Sequence, residues 1–274
     1  MENTDKRSNP LLTSLTPIFP LEKDIQGKKY LIDLTKDPDI IDQAFQLRYK
    51  VFNLELGEGL KESYKTQRDT DQYDPFCDHL VVIDQSSQQV VGTYRIMRYE
   101  NAVKHIGFYS ETEFNLDNIY KHLPHAAEIG RCCVHPEYRG GLVMNLLWYG
   151  LANYMLKFQV THLFGCASLN KGDTHQQASI LYKICESCHA IVNHDLTVSP
   201  QSGFEVKFFN KDAQLPKIAG NPKRLLPSLL RGYVSIGVKI CGAPAFDPEF
   251  GVIDFFTMFD YDGIKKAAKR FFPK

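Results

Sequence analysis

Apolar and polar positions follow two periods along the chain, and these predict a succession of strands and helices. Alternation or short apolar runs predict strands at 29–34, 79–83, 90–97, 127–134, 162–168 and 251–259. Apolar residues that recur every three or four positions predict helices at 38–56, 141–159, 178–189 and 263–272. The polar stretch 84–89 predicts a hairpin. This mixed order predicts one α/β (or α+β) domain with a central sheet.

Three other segments have weaker patterns. Residues 109–122 predict a short inserted helix, and residues 225–241 predict a helix or a buried segment. Residues 1–27 contain three prolines and are predicted to be a loosely ordered lead-in, with a short amphipathic piece at 11–21. The predicted organisation is this lead-in followed by one domain over 28–274.

Composition narrows the class of protein. Of 274 residues, 43% are hydrophobic and 23% charged, which excludes a largely disordered or collagenous chain. Lys+Arg and Asp+Glu are 32 each, so an overall basic field for nucleic acid is absent. The longest uncharged run, 140–156, is shorter than the ~20 residues that span a bilayer. With no signal-peptide pattern and an odd number of cysteines, seven, we expect a cytoplasmic protein with reduced thiols.

The stretch from Val134 to Gly141 has the composition of a phosphate-binding loop. It reads V-H-P-E-Y-R-G-G and leads from a predicted strand into an apolar helix. Backbone N–H groups at a helix start have no partner within the helix, and they bind phosphate. An ordinary helix start after a turn is the alternative interpretation.

This loop resembles the acyl-donor loop of the GCN5-related N-acyltransferase (GNAT) superfamily, V-x-P-x-x-R-G-x-G-x-G. Four of its positions are matched, by Val134, Pro136, Arg139 and Gly140. The two later glycine positions hold Leu142 and Met144, which leaves the backbone less room for a pyrophosphate. A 4'-phosphopantetheine arm on acyl carrier protein, with one phosphate, therefore fits better than coenzyme A. The resemblance implies a GNAT-like central mixed sheet flanked by helices.

Further motifs narrow the family. The R-x-x-x-F, D-x-x-D, G-x-x-R and E-x-x-R patterns of acyl-homoserine-lactone synthases are matched at 48–52, 71–74, 92–95 and 128–131. That branch has a tryptophan ten residues after the first arginine, where this chain has Glu58, which counts against a lactone synthase. From about residue 30 to 272 the chain is more similar to bacterial ornithine-lipid-type N-acyltransferases. The segments that carry this similarity further are 164–168, 230–233, 239–242, 244–248 and 254–255.

Members of that family move a fatty acyl group, often 3-hydroxyacyl, from acyl carrier protein to the α-amine of an amino acid, giving a lyso-lipid. The resemblance implies an amide-forming enzyme with no bound cofactor and with ornithine as the leading acceptor. Three alternatives stay open. They are an N-acyl amino acid synthase using glycine or an aromatic amino acid, a lactone-synthase-like enzyme, and a non-catalytic protein that binds acyl carrier.

The predicted catalytic residues are Glu128, Arg131 and Tyr182. An α-amine is mostly protonated at neutral pH, so a carboxylate or a water relay must take its proton, and Glu128 is the predicted base. A structural pair with Arg131 is the alternative, although strand positions three apart face opposite sides. The resemblance implies a β-bulge on this strand, which frees N–H groups for the thioester oxygen, and a thiolate-protonating role for Tyr182. A core aromatic is the alternative for Tyr182.

Four residues are predicted to bind the acceptor: Arg48, Asp71, Asp74 and Arg95. The arginines suit a carboxylate and the aspartates an ammonium group, but ion pairs between them are an equally open interpretation. The predicted donor-binding residues are Cys133, Val134, Arg139, Gly140, Gly141 and Ser168. No metal ligands are predicted.

Two basic segments suggest partners. Residues 213–246 contain no acid, and the predicted docking residues for acyl carrier protein there are Lys223, Arg224 and Arg231. A solvated face is the alternative. The predicted C-terminal helix is basic and ends in phenylalanines, which suggests peripheral contact with anionic membrane at its inner face.

Overall fold

The computed structural model describes residues 19–169, 175–191, 196–215 and 220–271. Within these residues the strands are β1 (Leu21–Ile25), β2 (Lys28–Thr35), β3 (Asp78–Asp84), β4 (Gln89–Arg98), β5 (Phe114–Asn115), β6 (Ala126–Val134), β7 (His162–Ser168), β8 (Ser199–Pro200), β9 (Lys239–Ile240), β10 (Ala245–Asp247) and β11 (Val252–Asp260). The α-helices are α1 (Pro38–Arg48), α2 (Ser63–Thr66), α3 (Tyr99–Lys104), α4 (Leu142–Phe158), α5 (His175–Ser187), α6 (Ser228–Ser235) and α7 (Tyr261–Phe271).

A mixed sheet organises the domain. Nine strands of the described residues belong to it, in the order β1-β2-β3-β4-β6-β7-β11-β10, with β9 also paired to β11. The neighbours are antiparallel except β6 and β7, which are parallel. Strands β5 and β8 form a separate short ladder. This arrangement confirms the predicted GNAT-like mixed sheet flanked by helices.

Helices cover both faces of the sheet, which is why every residue of β3 is buried. On one face α4 packs through positions four apart, such as Val143, Leu147 and Leu151, which share a core cluster with residues of β2, β3 and β4. On the other face α1 packs against β3 and β4. Gly150 of α4 approaches the sheet so closely that a Cβ there would collide with Ile32 and Leu80.

The predicted helix at 38–56 has the expected extent, but its first part is α-helical and its second part is π-helical. After α1 the chain continues as a π-helical turn, Tyr49–Leu56, which ends at Gly57 in the left-handed region (φ 67°). Hydrophobic period alone does not separate these two forms. Wider turns of this kind frequently occur at functional sites, and this one faces the cavity described below.

Three segments differ from the predictions. The inserted helix at 109–122 is wrong, because residues 109–112 and 120–125 form 3-10 turns around β5. Apolar residues of this segment are buried in a second core cluster, and that burial explains the helix-like pattern.

Residues 225–241, predicted as a helix or a buried segment, comprise the end of a 3-10 turn, α6 and β9. The last part of the predicted lead-in is β1, an edge strand on β2 whose side chains alternate in burial. Most of the predicted amphipathic piece at 11–21 lies outside the described residues.

Strands β6 and β7 pair at one end and part at the other. Their parallel register runs from Ala126–His162 to Glu128–Phe164 and stops there. Just beyond, β6 has a β-bulge against β4, since Cys133 pairs with Thr93 whereas Gly130 pairs with Arg95. This confirms the predicted bulge. A bulge bends its strand, so the two strands diverge and leave an opening in the sheet.

Gly165 lies at the point where β6 and β7 diverge, and we expect Gly165→Ala to lower stability by about 1–3 kcal/mol. An added Cβ would overlap the carbonyl oxygen of Ile129, and a backbone atom in a sheet moves aside less readily than a side chain. Urea unfolding measures the loss. Gly130→Ala is the control, because a Cβ there meets open space. Equal stability of the two variants would contradict the strain argument.

Candidate active site

A cavity of about 470 Å³ opens where β6 and β7 part. Its wall is built from the π-helical turn, the bulge of β6, the loop before α4, the start of α6 and the start of β11. A second cavity, of about 530 Å³, lies beside it. The two share wall residues, which are Tyr73, Tyr109, Arg131 and Phe250.

The structure brings all six predicted donor-binding residues to the wall of the first cavity. These are Cys133, Val134, Arg139, Gly140, Gly141 and Ser168. Both glycines have positive φ angles, 128° at Gly140 and 98° at Gly141, which side chains rarely adopt. α4 begins immediately afterwards, so its first N–H groups lie beside the cavity.

The Arg139 side chain forms an ion pair with a residue outside this loop. Its guanidinium forms a bidentate pair with Glu55 of the π-helical turn, at 2.5 and 2.7 Å. The hydrogen bond from Arg139 lowers the pKa of the Glu55 carboxyl. Glu55 also lines the cavity, and sequence reasoning missed it because it comes 84 residues before its partner.

Glu128 faces the cavity from β6, and its carboxylate is held by the 3-10 turn that follows α3. Oε1 accepts hydrogen bonds from the N–H and hydroxyl of Ser110, and Oε2 accepts one from the N–H of Tyr109. Burial raises the pKa of Glu128, and these hydrogen bonds partly oppose that rise. The structural pair between Glu128 and Arg131 does not form. A carboxylate oxygen has two lone pairs, so Oε2 keeps one for a further donor.

Arg131 lies in the bulge of β6 with φ at 48°, a strained angle for a residue with a side chain. Its guanidinium lies 3.5 Å from Asp69 and 3.7 Å from Asp71. It also stacks near the rings of Phe52 and Phe250. Of the four described residues that line both cavities, Arg131 is the one with a cationic side chain.

The four predicted acceptor-binding residues form ion pairs with one another, which is the alternative left open above. Arg48 is 1% exposed and binds Asp74 and Asp69, while Arg95 binds Asp71. Burial raises the pKa of Asp74, but the Arg48 charge more than offsets this and brings it to about 2. Arg95 lines the first cavity and Asp71 the second. Arg48 and Asp74 lie behind them, so their direct contact with an acceptor stays a prediction.

The structure does not bring Tyr182 to either cavity. Its ring packs edge-to-face against Phe209, with centroids 5.4 Å apart, on a helix of the third core cluster. The core alternative therefore describes its position. Two other tyrosines line the first cavity, Tyr94 and Tyr233, and their hydroxyls are 3.1 Å apart. Sequence reasoning gave neither a role.

Three buried acids that sequence reasoning also missed meet beside the cavities: Glu113, Asp247 and Asp254. One carboxylate oxygen of each lies within 4.8 Å of the others. Asp254 lines the first cavity and Asp247 the second. Burial and the neighbouring Asp247 carboxylate raise the pKa of Asp254 to about 7, although its Ser168 hydrogen bond opposes this. Burial and both aspartates raise the pKa of Glu113 well above its ordinary value.

We expect Asp254→Asn to stabilise the ligand-free protein at pH 8 by on the order of 2 kcal/mol. In the folded protein Asp254 holds its proton to about pH 7, against 3.8 ordinarily, so unfolding releases a proton between these values. Wild-type stability should therefore fall as pH rises from about 4 to 7 and then level off. Urea unfolding at pH 5 and pH 8 measures both effects. A variant less stable than wild type at pH 8 would contradict this.

The predicted docking residues lie in the chain on either side of a segment that lines the first cavity. Arg224 and Arg231 are exposed, Lys223 is partly exposed, and the cavity wall includes Pro227 just between them. In α7, Ile264 and Ala267 are buried, while Lys265 and Lys266 are exposed. Within the described residues, none of the helices has the length and apolar character needed to cross a membrane.

Similar folds occur among solved structures. An N-acyl amino acid synthase from uncultured soil microbes, FeeM, has a TM-score of 0.48 at 9% identity, covering 90% of this chain and 99% of that one. A CoA-dependent acyl-homoserine lactone synthase, BjaI, has a TM-score of 0.46 at 13% identity, covering 85% and 82%.

A model of the acetyltransferase (GNAT) domain matches residues 47–149, which include the bulge and the donor loop. With the fold, this defines an acyltransferase of the GNAT class. The L-ornithine N(alpha)-acyltransferase of Brucella abortus is 34% identical to this chain over 82% of each protein. That of Rhodobacter capsulatus is 28% identical over 89% of this chain and 95% of its own. The chain belongs to the L-ornithine N(alpha)-acyltransferase family, which confirms the family expected from the motifs.

Proposed function

We propose that this enzyme transfers a fatty acyl group, of the 3-hydroxyacyl type, from acyl carrier protein to the α-amine of ornithine. The observation that carries the proposal is one cavity lined by all six predicted donor-binding residues, by the bulge and by Glu128. The names of the relatives support ornithine as the acceptor. The product is a lyso-ornithine-type lipid.

The phosphate of the donor arm would bind at Gly140 and Gly141, where the start of α4 offers unpaired N–H groups. Arg139 would contribute a positive charge, shared with Glu55. The arm would then run into the opening between β6 and β7. The register of β6 against β4 passes over Arg131 and Cys132, so their N–H groups would be available to the thioester oxygen.

In the reaction, Glu128 would take a proton from the acceptor ammonium through the free lone pair of Oε2. The amine nitrogen attacks the thioester carbon, and the electron pair of the C=O bond moves to oxygen. When the carbonyl re-forms, the C–S bond breaks and the thiolate leaves. Tyr233, hydrogen-bonded to Tyr94 in the cavity wall, would donate the proton that the thiolate takes up. The acceptor nitrogen loses its second proton as the amide forms, and that proton would return through water to the Tyr233 oxygen, while Glu128 releases its proton to solvent.

Turnover with defined substrates tests the proposal. The purified chain is incubated with 3-hydroxyacyl carrier protein and ornithine, glycine or tyrosine, and products are identified by mass spectrometry. N-acyl-ornithine is the expected product. Product with glycine or tyrosine but not ornithine would instead support an N-acyl amino acid synthase. Binding of acyl carrier protein without product would support a non-catalytic protein. Acyl-CoA in a parallel reaction tests the donor.

For carrier docking, we expect the double charge reversal Lys223→Glu/Arg224→Glu to raise the KM for acyl carrier protein by about 3–10-fold, with kcat little changed. An acidic carrier would meet repulsion where it now meets basic side chains beside a segment that lines the first cavity. The control is Lys265→Glu/Lys266→Glu on α7, which changes net charge equally at another surface. Equal KM values for the two variants would refute the docking surface.

The same pair of variants separates carrier docking from membrane contact. If α7 rests on anionic membrane, the Lys265→Glu/Lys266→Glu variant should bind vesicles containing phosphatidylglycerol less tightly than wild type. Deleting α7 is a poorer test, because Ile264 and Ala267 are buried and their loss would disturb the fold. Unchanged vesicle binding would argue against a location at the membrane face.

A further inference from the structure

The three buried acids are at most 4% exposed, and the mechanism proposed above uses none of them. Each comes from a different part of the fold. Glu113 follows the 3-10 turn that holds Glu128, Asp247 ends β10, and Asp254 lies on β11 opposite Ser168. A carboxylate in a low-dielectric interior is costly unless it is paired with a cation or protonated.

Protein groups compensate these acids only in part. Ser168 donates to Oδ1 of Asp254, and Oδ1 of Asp247 accepts from the N–H groups of Glu249 and Phe250. The Tyr109 hydroxyl donates to Oδ2 of Asp247 at 3.4 Å. Neither carboxylate oxygen of Glu113 has a hydrogen-bond partner, although the side chain is 1% exposed. Across the described residues, no Lys, Arg or His side chain forms an ion pair with any of the three.

The shape of the cluster suits a cation. Glu113 directs an unpartnered carboxylate at the two aspartates, and Asp254 opens the cluster to the first cavity. A primary ammonium group has three N–H donors, which matches three carboxylates that converge within 4.8 Å. Buried hydrogen bonds between charged groups are also stronger than neutral ones.

We propose that Glu113, Asp247 and Asp254 bind the side-chain ammonium of the acceptor amino acid and make the enzyme selective for a basic acceptor. This rests on the proposed N-acylation and identifies what distinguishes the acceptor from other amino acids. The acceptor would then lie between two groups of residues. Its side-chain end is held by the acids, and its carboxylate meets Arg131, which lines both cavities.

A divalent metal ion is the other cation that three carboxylates bind. Such ions take six or more oxygen ligands, or keep several waters. Here Oδ1 of both aspartates already accepts hydrogen bonds within the protein, and Glu113 is sealed from solvent. The donor count favours the ammonium group, and the experiment below includes the metal as an arm.

The test compares ornithine with norvaline, which has the same carbon chain without the terminal ammonium. We expect wild type to prefer ornithine, as kcat/KM, by about 10–100-fold. In Asp254→Asn and Glu113→Gln this preference should fall to within about threefold of unity, through loss of the ornithine rate and not of the norvaline rate. Asp33→Asn, a partly buried acid on β2 that lines neither cavity, is the matched control and should keep the wild-type preference.

Acceptor binding is measured separately, by the shift in Tm that ornithine or norvaline produces. Stabilisation of wild type by ornithine, lost in Asp254→Asn, supports the proposal, and melting of each variant alone shows that it folds. Equal loss of both rates, or an unchanged preference, overturns it. So does ornithine turnover that chelation abolishes and Mg²⁺ or Ca²⁺ restores. If wild type acylates other amino acids but not ornithine, the proposed acceptor fails. If it acylates ornithine and norvaline equally, only this inference fails.

Discussion

Glu128→Gln is expected to lower kcat for acyl transfer to ornithine by about 10²–10⁴-fold, the range of a lost general base. Glutamine cannot take the ammonium proton, and its NH₂ group cannot accept at one of the two positions where Glu128 accepts the N–H groups of Tyr109 and Ser110. The defect should shrink as pH rises past about 8, because the α-amine then loses its proton to solvent. Steady-state rates between pH 6.5 and 9.5 measure this.

A matched control separates base catalysis by Glu128 from the structural effect of its hydrogen bonds to the 3-10 turn at 109–112. Glu111 lies on the same 3-10 turn, its carboxylate accepts the N–H of Phe108, and it lines neither cavity. Glu111→Gln should disturb the turn in a comparable way and keep most of the activity. If Glu128→Gln kept full turnover, or if both variants lost activity equally at every pH, Glu128 would not be the base.

The second large effect concerns stability. Arg48→Met is expected to lower the free energy of unfolding by about 3–5 kcal/mol, the usual cost of breaking a buried ion pair from one side. Asp69 and Asp74 would remain buried near Val51 and the β3 core without their main cation. The wild-type Asp74 contribution is complete above about pH 4 and is lost as pH falls toward 2. The deficit of the variant should therefore be largest at neutral pH and smaller at pH 3.

Arg68→Met is the control for that measurement. Arg68 also pairs with an aspartate, Asp42, but both side chains are about 40% exposed, so the pair contributes at most about 1 kcal/mol. Urea unfolding of the two variants at pH 7 and pH 3 gives the comparison. Equal stability of Arg48→Met and Arg68→Met at pH 7 would show that the buried network does not support the fold.

The position of most of the candidate donor-binding residues was predictable because they are local in sequence. The bulge strand, the loop and the start of α4 follow one another between residues 126 and 142, so one motif places them together. The sheet was predictable for a similar reason, since each strand has its own apolar pattern. The acyltransferase class and the family then followed from the order of several short motifs, each weak by itself.

The acid cluster was not predictable from pattern. Glu113, Asp247 and Asp254 are up to 141 residues apart, and they meet only because β11 returns beside β7. The location of Tyr182 away from both cavities was not predictable for the opposite reason. Its position along the chain suits a site residue, but packing turns its ring toward Phe209. Burial and long-range pairing decide both cases, and neither leaves a local signature.

The parting of β6 and β7 also has a mechanical consequence. Beyond Phe164, β7 is hydrogen-bonded on one side only, to β11, and its other edge faces the opening. A pantetheine arm carries two amide groups. An extended donor in the opening could therefore hydrogen-bond to the free edge of β7 as a neighbouring β-strand would. The strands on the two sides of the cleft, which share register only at 126–128 and 162–164, would then be joined through the substrate. Loading the donor would then also brace β11, which pairs with the other edge of β7 and contains Asp254.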